Sequence, residues 1–532
     1  MATPLDLDVG AFSADAPWSV DPDRCTWRPG IDRLRARTRA EVPRLLRRRR
    51  LPPGGRVVRV GAVLGVAIGR WYVGARRRGG TESRADLSRR LRDAFERLGP
   101  TYIKLGQIIS SGEGIFPTEL VAQFRLLRDQ VRPETFADVR TVIETDFGRP
   151  LEEVFSSIDA EPVAAASVAQ VHRARLCTGE RVVVKVQRPT VAALMRRDLA
   201  AMSWIAPVLV GRIPVAALAN PPALVELFAE TIVEELDFRL EAQNMLDTAR
   251  ILAETGESAA MVVPRPHPDL VTRRVLVMEE LEGFAFDDVA GMHAAGIDTE
   301  AIIRAGMVAF LEGAMLYGVF HGDLHGGNLV VMRDGRVGLL DHGITGRLDE
   351  RGRLAFLRLL LGGTVNDIRL QLTALCDLGA LPADTDVDAI IRDLKLDRPP
   401  VDPTKMTPDE LLAEIRELTK ALLASGARMP KELMLFVKDM LFAISAMPML
   451  APDLDLIAMV MDIAAYFATT YGERIMADVG IDPRSVRTSP EQVAIGLGLP
   501  EGTVRFTARD MQERRELIAR RMRHHRTGRA LD

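Results

Sequence analysis

Only three cysteines occur among the 532 residues. Cys25, Cys177 and Cys376 lie far apart and form no C-x-x-C pair, which argues against a disulfide framework or a zinc site and fits a reducing cytoplasm. Long apolar runs are equally scarce. Val60 to Gly69 lies between Arg59 and Arg70, Met440 to Leu450 contains Pro448, and Leu456 to Thr470 contains Asp462, whereas a membrane span needs roughly twenty mostly apolar residues. No span is therefore expected. The start, MATPLDLDVGAFSADAPW, is acidic and lacks the basic-then-apolar order of a secretory signal, so export is not expected either. An excess of one charge is also missing: 70 Lys and Arg stand against 73 Asp and Glu, and the resulting charge of −3 excludes no class of partner. With 47% hydrophobic and 27% charged residues, the profile is that of an ordinary soluble globular protein with room for two to four domains. No internal repeat is visible.

What the chain does contain is Val319 to Gly343, VFHGDLHGGNLVVMRDGRVGLLDHG, around which the rest can be organised. Asp323 and Asn328 form a D-x4-N loop of the kind that positions an acceptor and holds a magnesium ion. Asp341 follows the apolar strand Val337-Gly338-Leu339-Leu340, where protein-kinase-like enzymes place the aspartate that grips the metal bridging the ATP phosphates. Magnesium prefers hard oxygen ligands in an octahedron, so one carboxylate and one amide carbonyl suit it, with phosphates and waters completing the shell. The plainer alternative is a hairpin turn at Asp341-His342-Gly343 and a loop of turn formers at His321-Gly322-Asp323. Against it, Leu329 to Met332, the turn Arg333-Asp334-Gly335 and Arg336 to Leu340 read as strand, turn and strand, the arrangement of a kinase C-lobe.

Upstream, residues 1–30 show no periodicity and read as a loosely ordered lead. Residues 31–100 carry 20 Arg against 6 acids, a local net of +14. Arg44 to Arg50 and Arg76-Arg77-Arg78 flank an apolar stretch ending in Trp71-Tyr72. A solvated helix face would explain this. So would a helix lying on an anionic membrane surface, with arginines on the headgroups and Trp and Leu among the acyl chains. Nucleic acid is disfavoured as a partner, because stacking aromatics are not interleaved with the basic residues.

From Pro100, a residue that helix starts tolerate, the chain runs Lys104-Leu105-Gly106-Gln107. This matches the KxGQ motif of the UbiB/AarF/ADCK family of atypical, protein-kinase-like proteins, which the chain resembles over roughly residues 90–450. Phe116-Pro117 and Leu126-Leu127-Arg128-Asp129 agree with the family, while Ser110-Ser111-Gly112 departs from its Ser-x-Arg. Further motifs follow in the family's order. Ala164-Ala165-Ala166-Ser167 stands where an ordinary kinase has its glycine-rich loop and matches the family's alanine-rich loop, although Ala169 replaces a usual glycine. Lys185, alone among valines in Val183-Val184-Lys185-Val186, resembles the lysine that contacts the α- and β-phosphates. In the acidic stretch of a helix spanning Leu224 to Arg250, Glu234, Asp237 and Glu241 share one face and Glu235 points elsewhere. The resemblance assigns Glu235 and Asp237 to the ExD motif that engages KxGQ, and Glu241 to the glutamate that pairs with Lys185. Arg274 to Gly283, including Glu279, reads as the strand and hinge whose backbone takes the adenine. His325 replaces the lysine usual two residues after the catalytic aspartate, and His342 replaces the phenylalanine of DFG. HGDLHGGN departs from the family's HADPHPGN and is similar to the loop of aminoglycoside and choline phosphotransferases.

The expected fold is α+β, protein-kinase-like and two-lobed, with an all-helical C-lobe. Its parts would be a basic, partly disordered region with a possible membrane-surface helix (1–85), a helical KxGQ extension (86–160), an N-lobe with a helical insert (161–283), a C-lobe (284–480) and a polar tail (481–532). Beyond Arg347, helices are expected at Arg351 to Leu361, Val365 to Leu378, Asp386 to Lys395, Pro408 to Ala424, Pro430 to Ala446 and Leu454 to Tyr471. The resemblance implies an atypical kinase or ATPase that binds ATP and Mg²⁺, with Asp323 orienting the attacking group and Asn328 and Asp341 on the metal. Its acceptor would be small or lipid-like, its place cytoplasmic or peripheral at the inner face of the membrane, and its role support of isoprenoid-quinone metabolism. Two alternatives remain open: a soluble small-molecule phosphotransferase, favoured by HGDLHGGN and opposed by KxGQ, and a non-catalytic ATP-gated factor.

Overall fold

The computed structural model describes residues 12–527 except 14–16, 48–50, 75–79, 111–116, 128–132, 210–220, 256–259, 365, 395, 397–403, 408–409, 411–424, 428–429, 482–488 and 501. Arg48–Arg50 and Arg76–Arg78, Ser111-Gly112, Phe116, Arg128-Asp129 and nearly all of the expected helix Pro408 to Ala424 lie outside the described residues. The chain divides into two compact units. The first comprises residues 1–253, 262–281 and 339–344, and the second 254–261, 282–338 and 345–532. In this division the basic region, the KxGQ extension and the N-lobe fall within the first unit, and so does the segment carrying Asp341.

The first unit is built on an antiparallel sheet. Its strands run in the order Phe155–Ile158, Ala169–Leu176, Arg181–Gln187, Val275–Glu279 and Pro266–Val271, and the short Ala164–Ala165 strand pairs with Ala169–Leu176. Strand alternation makes Arg181–Gln187 two-sided. Val182, Val184 and Val186 are buried in one cluster with Val139, Val142 and Ile143 of the Phe136–Phe147 helix. Each such side chain removed from water contributes about 2 kcal/mol, which fixes the register and turns Lys185 to the opposite face. Gly179, at φ +109, makes the turn into this strand, a conformation that favours glycine.

The basic region is helical and packed. Gly55–Gly74, Gly80–Leu98, Pro100–Ser110, Val191–Leu209 and Pro221–Glu235 contribute to one core cluster. Arg56 forms an ion pair with the fully buried Asp198 and donates to the Leu98 carbonyl at 2.6 Å. Gly55–Gly74 is long and apolar enough to cross a membrane by length and composition, although Arg59 and Arg70 lie within it. Trp71, expected among acyl chains, is instead buried, its indole N–H donating to the Ser83 carbonyl at 3.0 Å. The lead is not loose where it is described. Trp18 and Trp27 donate to the carbonyls of Pro266 and His267, both at 3.2 Å, and Thr26 N–H donates to Pro268 at 3.0 Å, so the lead runs along the edge strand Pro266–Val271.

The acidic stretch is not one helix. Pro221–Glu235 ends there and Phe238–Glu254 begins anew after Leu236 and Asp237. Asp237 caps the new start, accepting from the Arg239 backbone N–H at 3.2 Å and from its guanidinium at 2.7 Å. Glu234, Asp237 and Glu241 therefore share no face: their cations are Arg39, Arg239 and Lys185 respectively.

The second unit is not wholly helical. Gly283–Ala285, Leu329–Met332 and Val337–Leu339 are neighbouring strands of one sheet, and Val319–His321 pairs antiparallel with Thr345–Arg347. Gly335, at φ +87, completes the expected Arg333-Asp334-Gly335 turn, with Met332 N–H on the Arg336 carbonyl at 2.8 Å. Thr299–Glu312 leads through a π-turn at Gly313–Tyr317 to the D-x4-N loop. Helices follow at Glu350–Thr364, Ile368–Asp377, Val387–Asp393, Lys431–Leu450 and Leu456–Val479. Lys431–Leu450, like Gly55–Gly74, is long and apolar enough to cross a membrane by length and composition. The expected polar tail is in part folded. Pro490–Gly496 opens with a capping box, and Ala508 N–H donates to the Leu454 carbonyl at 3.0 Å at the start of the Ala508–Thr527 helix.

Candidate functional site

Each unit carries one group of the expected residues. In the first, Lys185 Nζ lies 2.6 Å from Glu241 Oε1 and 3.0 Å from Asp341 Oδ2. Asp341 also accepts from the Gly343 N–H at 2.8 Å. A Cβ at Gly343 would stand 3.0 Å from Asp341 Oδ1 and 3.5 Å from Glu235 Cγ, so the glycine lets the two acids close on the turn. Burial alone would lower the Lys185 pKa, but Asp341 and Glu241 outweigh it and raise it, so the lysine stays charged. Burial likewise works against the Asp341 carboxylate, yet Lys185, the Gly343 N–H and Lys104 hold it well below the usual carboxylate range. Glu241 shifts the other way: burial raises it against the pull of Lys185. The Asp341 side chain, 40% exposed, is the accessible member of this trio.

A second cation stands behind this trio. Lys104 Nζ is 2.6 Å from Glu235 Oε2, both side chains being largely buried. Gly106 explains how the helix bearing KxGQ comes so close to its neighbours: a Cβ there would collide with Leu127 Cδ1. Glu235 thus engages KxGQ as the resemblance implies, while Asp237 is held by Arg239. Gln107 lies in the same helix, its carbonyl accepting from Ser110 Oγ at 2.7 Å. Asn244 Nδ2 donates to the His342 carbonyl at 2.9 Å and fixes the turn after Asp341 from the neighbouring helix.

The alanine-rich loop is a tight turn. Ala164 and Ala165 pair with Val171 and Gln170, and Ala166 N–H donates to the Ala169 carbonyl at 2.8 Å, with Ser167 buried between them. Arg188, which no motif signals, donates to the Ala166 carbonyl at 2.9 Å and pairs with Glu134 at 3.0 Å, which stiffens the loop from below. Glu279 is turned inward. Its carboxylate accepts from Arg265 at 3.2 Å and from Ser13, and its N–H donates to the Arg265 carbonyl at 2.9 Å, so these groups are spent within the fold.

In the second unit, Asp323 N–H donates to His321 Nδ1 at 3.0 Å, and the Asp323 carbonyl accepts from Asn328 Nδ2, also at 3.0 Å. That bond fixes the orientation of the Asn328 amide against the loop backbone. Asp323 Oδ1 is paired with Lys438, and Leu324 N–H donates to Asp439 Oδ1 at 3.0 Å. Sequence reasoning missed both. Their signal was two adjacent charges inside the otherwise apolar Leu433 to Leu450. Asp439 is fully buried, and burial pushes its carboxyl up to about 8, against the attraction of Lys438.

Asp341 of the first unit and Asn328 of the second each have the hard-oxygen character magnesium prefers, and within the first unit Lys185 stands beside Asp341 as a fixed positive charge. No cluster of three or more His, Cys, Asp or Glu able to hold a metal by itself occurs among the described residues, so phosphate or water oxygens would have to complete the shell.

Residues 126–371 match the family model described as the ABC1 atypical kinase-like domain. The chain is 35% identical to an uncharacterized protein of Mycobacterium tuberculosis, over 68% of this chain and 74% of that one. It is 31% identical to an uncharacterized aarF domain-containing protein kinase, chloroplastic, of Arabidopsis thaliana, over 69% and 72%. To the probable protein kinase UbiB of Vibrio vulnificus it is 34% identical, over 57% and 56%.

Proposed function

Since the chain belongs to the ABC1 family of atypical kinase-like proteins, we propose that it binds ATP with magnesium and either hydrolyses the nucleotide or phosphorylates a small, lipid-like molecule. The observation that carries this reading is Lys185 held between Glu241 and Asp341 at 2.6 and 3.0 Å. The lysine is ready to place its charge on phosphate oxygens, and an incoming metal and phosphate would replace the Lys185–Asp341 contact while Glu241 retains the lysine. Magnesium held by Asp341 would neutralise charge on the phosphates, and Asn328 is proposed as a hard-oxygen ligand of the second unit. Asp323 orients the attacking hydroxyl or water and is placed to receive its proton.

An apolar partner is supported by a cavity of about 930 Å³ in the second unit, large enough for an isoprenoid-sized chain. Met307, Met315, Met440 and Met447 are among its lining residues, and methionine adapts readily to flexible apolar ligands. Together with the resemblance to UbiB-like proteins, this favours a role in isoprenoid-quinone metabolism at or near a membrane over that of a soluble antibiotic or metabolite phosphotransferase. The packed Lys104–Glu235 contact favours the same choice, because KxGQ belongs to the UbiB-like pattern. ATP turnover by the purified protein, measured with and without quinone-like phenols and lipid vesicles, tests the proposal. Stimulation by these additives and loss in Asp341→Asn would support it. Turnover driven only by soluble aminoglycosides or choline would favour the alternative, and no turnover or nucleotide binding under any condition would overturn it.

A further inference from the structure

Two consecutive residues of the Lys431–Leu450 helix hold three consecutive residues of the D-x4-N loop. Lys438 Nζ pairs with the Asp323 carboxylate and donates to the Gly322 carbonyl at 3.2 Å, while Asp439 takes the Leu324 N–H at 3.0 Å. Consecutive helix positions point about 100° apart, so one helix can hold side chain and backbone of the loop from two directions. Helix and loop also share a core. Phe436, one turn before Asp439, packs on Phe310, Phe320 and Phe356 with ring centroids 5.1, 5.8 and 4.5 Å away, and Phe320 belongs to the strand that delivers the loop. Both partners of the ion pair are only partly exposed, Lys438 17% and Asp323 28%. Such a pair is screened less than a surface one and keeps a defined geometry.

The loop supplies no such cation itself. The position two residues after Asp323 is His325, and its Nδ1 accepts from the Gly327 N–H at 3.1 Å, closing the turn that leads to Asn328. We propose that Lys438 is the positioning residue for Asp323, aiming its carboxylate from a helix more than a hundred residues downstream. The inference rests on the reading of Asp323 as the group that orients the attacking oxygen.

The test compares wild type, Lys438→Met and Lys438→Arg in ATP turnover at one neutral pH, with kcat and KM for ATP measured separately. In Lys438→Met kcat should fall roughly 10- to 100-fold, with KM for ATP within about threefold of wild type. Lys438→Arg, which keeps the charge, should hold kcat within about threefold of wild type. A kcat unchanged in Lys438→Met would overturn the inference, as would equal losses in the two variants. A second measurement does not depend on turnover. In a double-mutant cycle of Lys438→Met and Asp323→Asn read by urea unfolding, the double variant's unfolding constant should depart about fivefold or more from the product of the single effects. Additive effects would overturn the ion pair. Coupling without any ATP turnover or nucleotide binding in the wild type would instead overturn the functional reading of Asp323 and leave the contact standing. If Lys438→Met does not fold, Lys438→Gln takes its place in both experiments.

Discussion

Lys104 Nζ stands 2.6 Å from Glu235 Oε2, so the helix bearing KxGQ is fastened to the last residue of the helix preceding the Asp237 break. Gly343, in the turn after Asp341, lies against Glu235 on the other side, and Lys104 adds to the field that keeps the Asp341 carboxylate ionised. The motif therefore belongs to the electrostatic surroundings of the proposed metal ligand. Lys104→Ala should leave the largely buried Glu235 without this cation and cost up to about 3 kcal/mol in urea unfolding. It should also weaken magnesium-dependent nucleotide binding, measured by titration of a fluorescent ATP analogue. Wild-type stability together with wild-type nucleotide affinity in the variant would refute the coupling.

Asp341→Asn should abolish magnesium-dependent nucleotide binding while leaving the protein folded. Its side chain is partly exposed and Lys185 keeps Glu241 as partner, so the stability loss should stay below about 2 kcal/mol at neutral pH. The sign with pH follows from the lowered pKa. The stabilisation is present above the unfolded carboxylate value near 4 and is lost as pH falls through the folded one, so wild type and variant should converge in stability only in strong acid. Calorimetry with and without MgATP measures both effects, and nucleotide affinity unaffected at every magnesium concentration would remove Asp341 from the metal.

How much of this was legible in the sequence depends on the kind of signal. Valine alternation around Lys185 and the Arg333-Asp334-Gly335 turn are local patterns, and local physics carried them into the structure. The Glu241 partner of Lys185 came from the family resemblance, since it joins residues 56 positions apart. The break at Leu236-Asp237 was not visible, because each half keeps helical periodicity and no glycine or proline marks it; a capping Asp237 followed by Arg239 was the available hint. Trp71 was misassigned for a related reason. A basic, apolar helix looks the same whether its apolar side meets lipid or other helices, and here Trp71 found Ser83. Lys438 and Asp439 were passed over because their partners lie 115 residues away in the chain.

Packing of Trp71 narrows the membrane expectation without removing it. Val58, Val66, Tyr72 and Val73 of the Gly55–Gly74 helix remain exposed, beside Arg59 and Arg70. Full-length protein should sediment with anionic vesicles and be released by salt, because each basic residue near such a surface contributes about 1 kcal/mol and is screened within a Debye length. Arg59→Glu with Arg70→Glu should weaken binding at least tenfold. Equal sedimentation with neutral and anionic vesicles would count against the surface.

Asp439 offers a pH test of the loop's anchor. Its folded value of about 8 lies above an ordinary aspartate's, so folding favours the protonated form: the stabilisation is complete below about pH 4 and is lost as pH rises through 8. The charged groups it faces are Lys438, which opposes the shift, and Asp323, which adds to it. Asp439→Asn keeps an acceptor for the Leu324 N–H and cannot titrate. Between pH 4 and 8 the variant should therefore gain on the wild type, at a slope of no more than about 1.4 kcal/mol per pH unit. Urea unfolding at several pH values in this range measures the difference, and parallel curves would show that Asp439 is ionised throughout.

The alanine-rich turn makes a prediction in the opposite direction, toward gain of binding. Ala164 and Ala165 are held in register by Val171 and Gln170, and Arg188 grips the next carbonyl, so the loop has little freedom to follow a phosphate. Each Cβ also keeps a ligand from the backbone N–H groups, which in a glycine-rich loop approach the phosphates directly. Ala165→Gly removes one such obstacle and loosens the turn, at a stability cost of about 0.5–1 kcal/mol. ATP affinity should rise several-fold, or autophosphorylation should appear, with nucleotide binding read by calorimetry and phosphate incorporation by mass spectrometry. Arg188→Ala should loosen the same turn from the other side while leaving both methyl groups in place. If the backbone's approach limits binding, Ala165→Gly should exceed Arg188→Ala in affinity, whereas equal gains would mean that rigidity alone was limiting. No gain in either variant would show that the alanine-rich loop does not govern how the nucleotide seats.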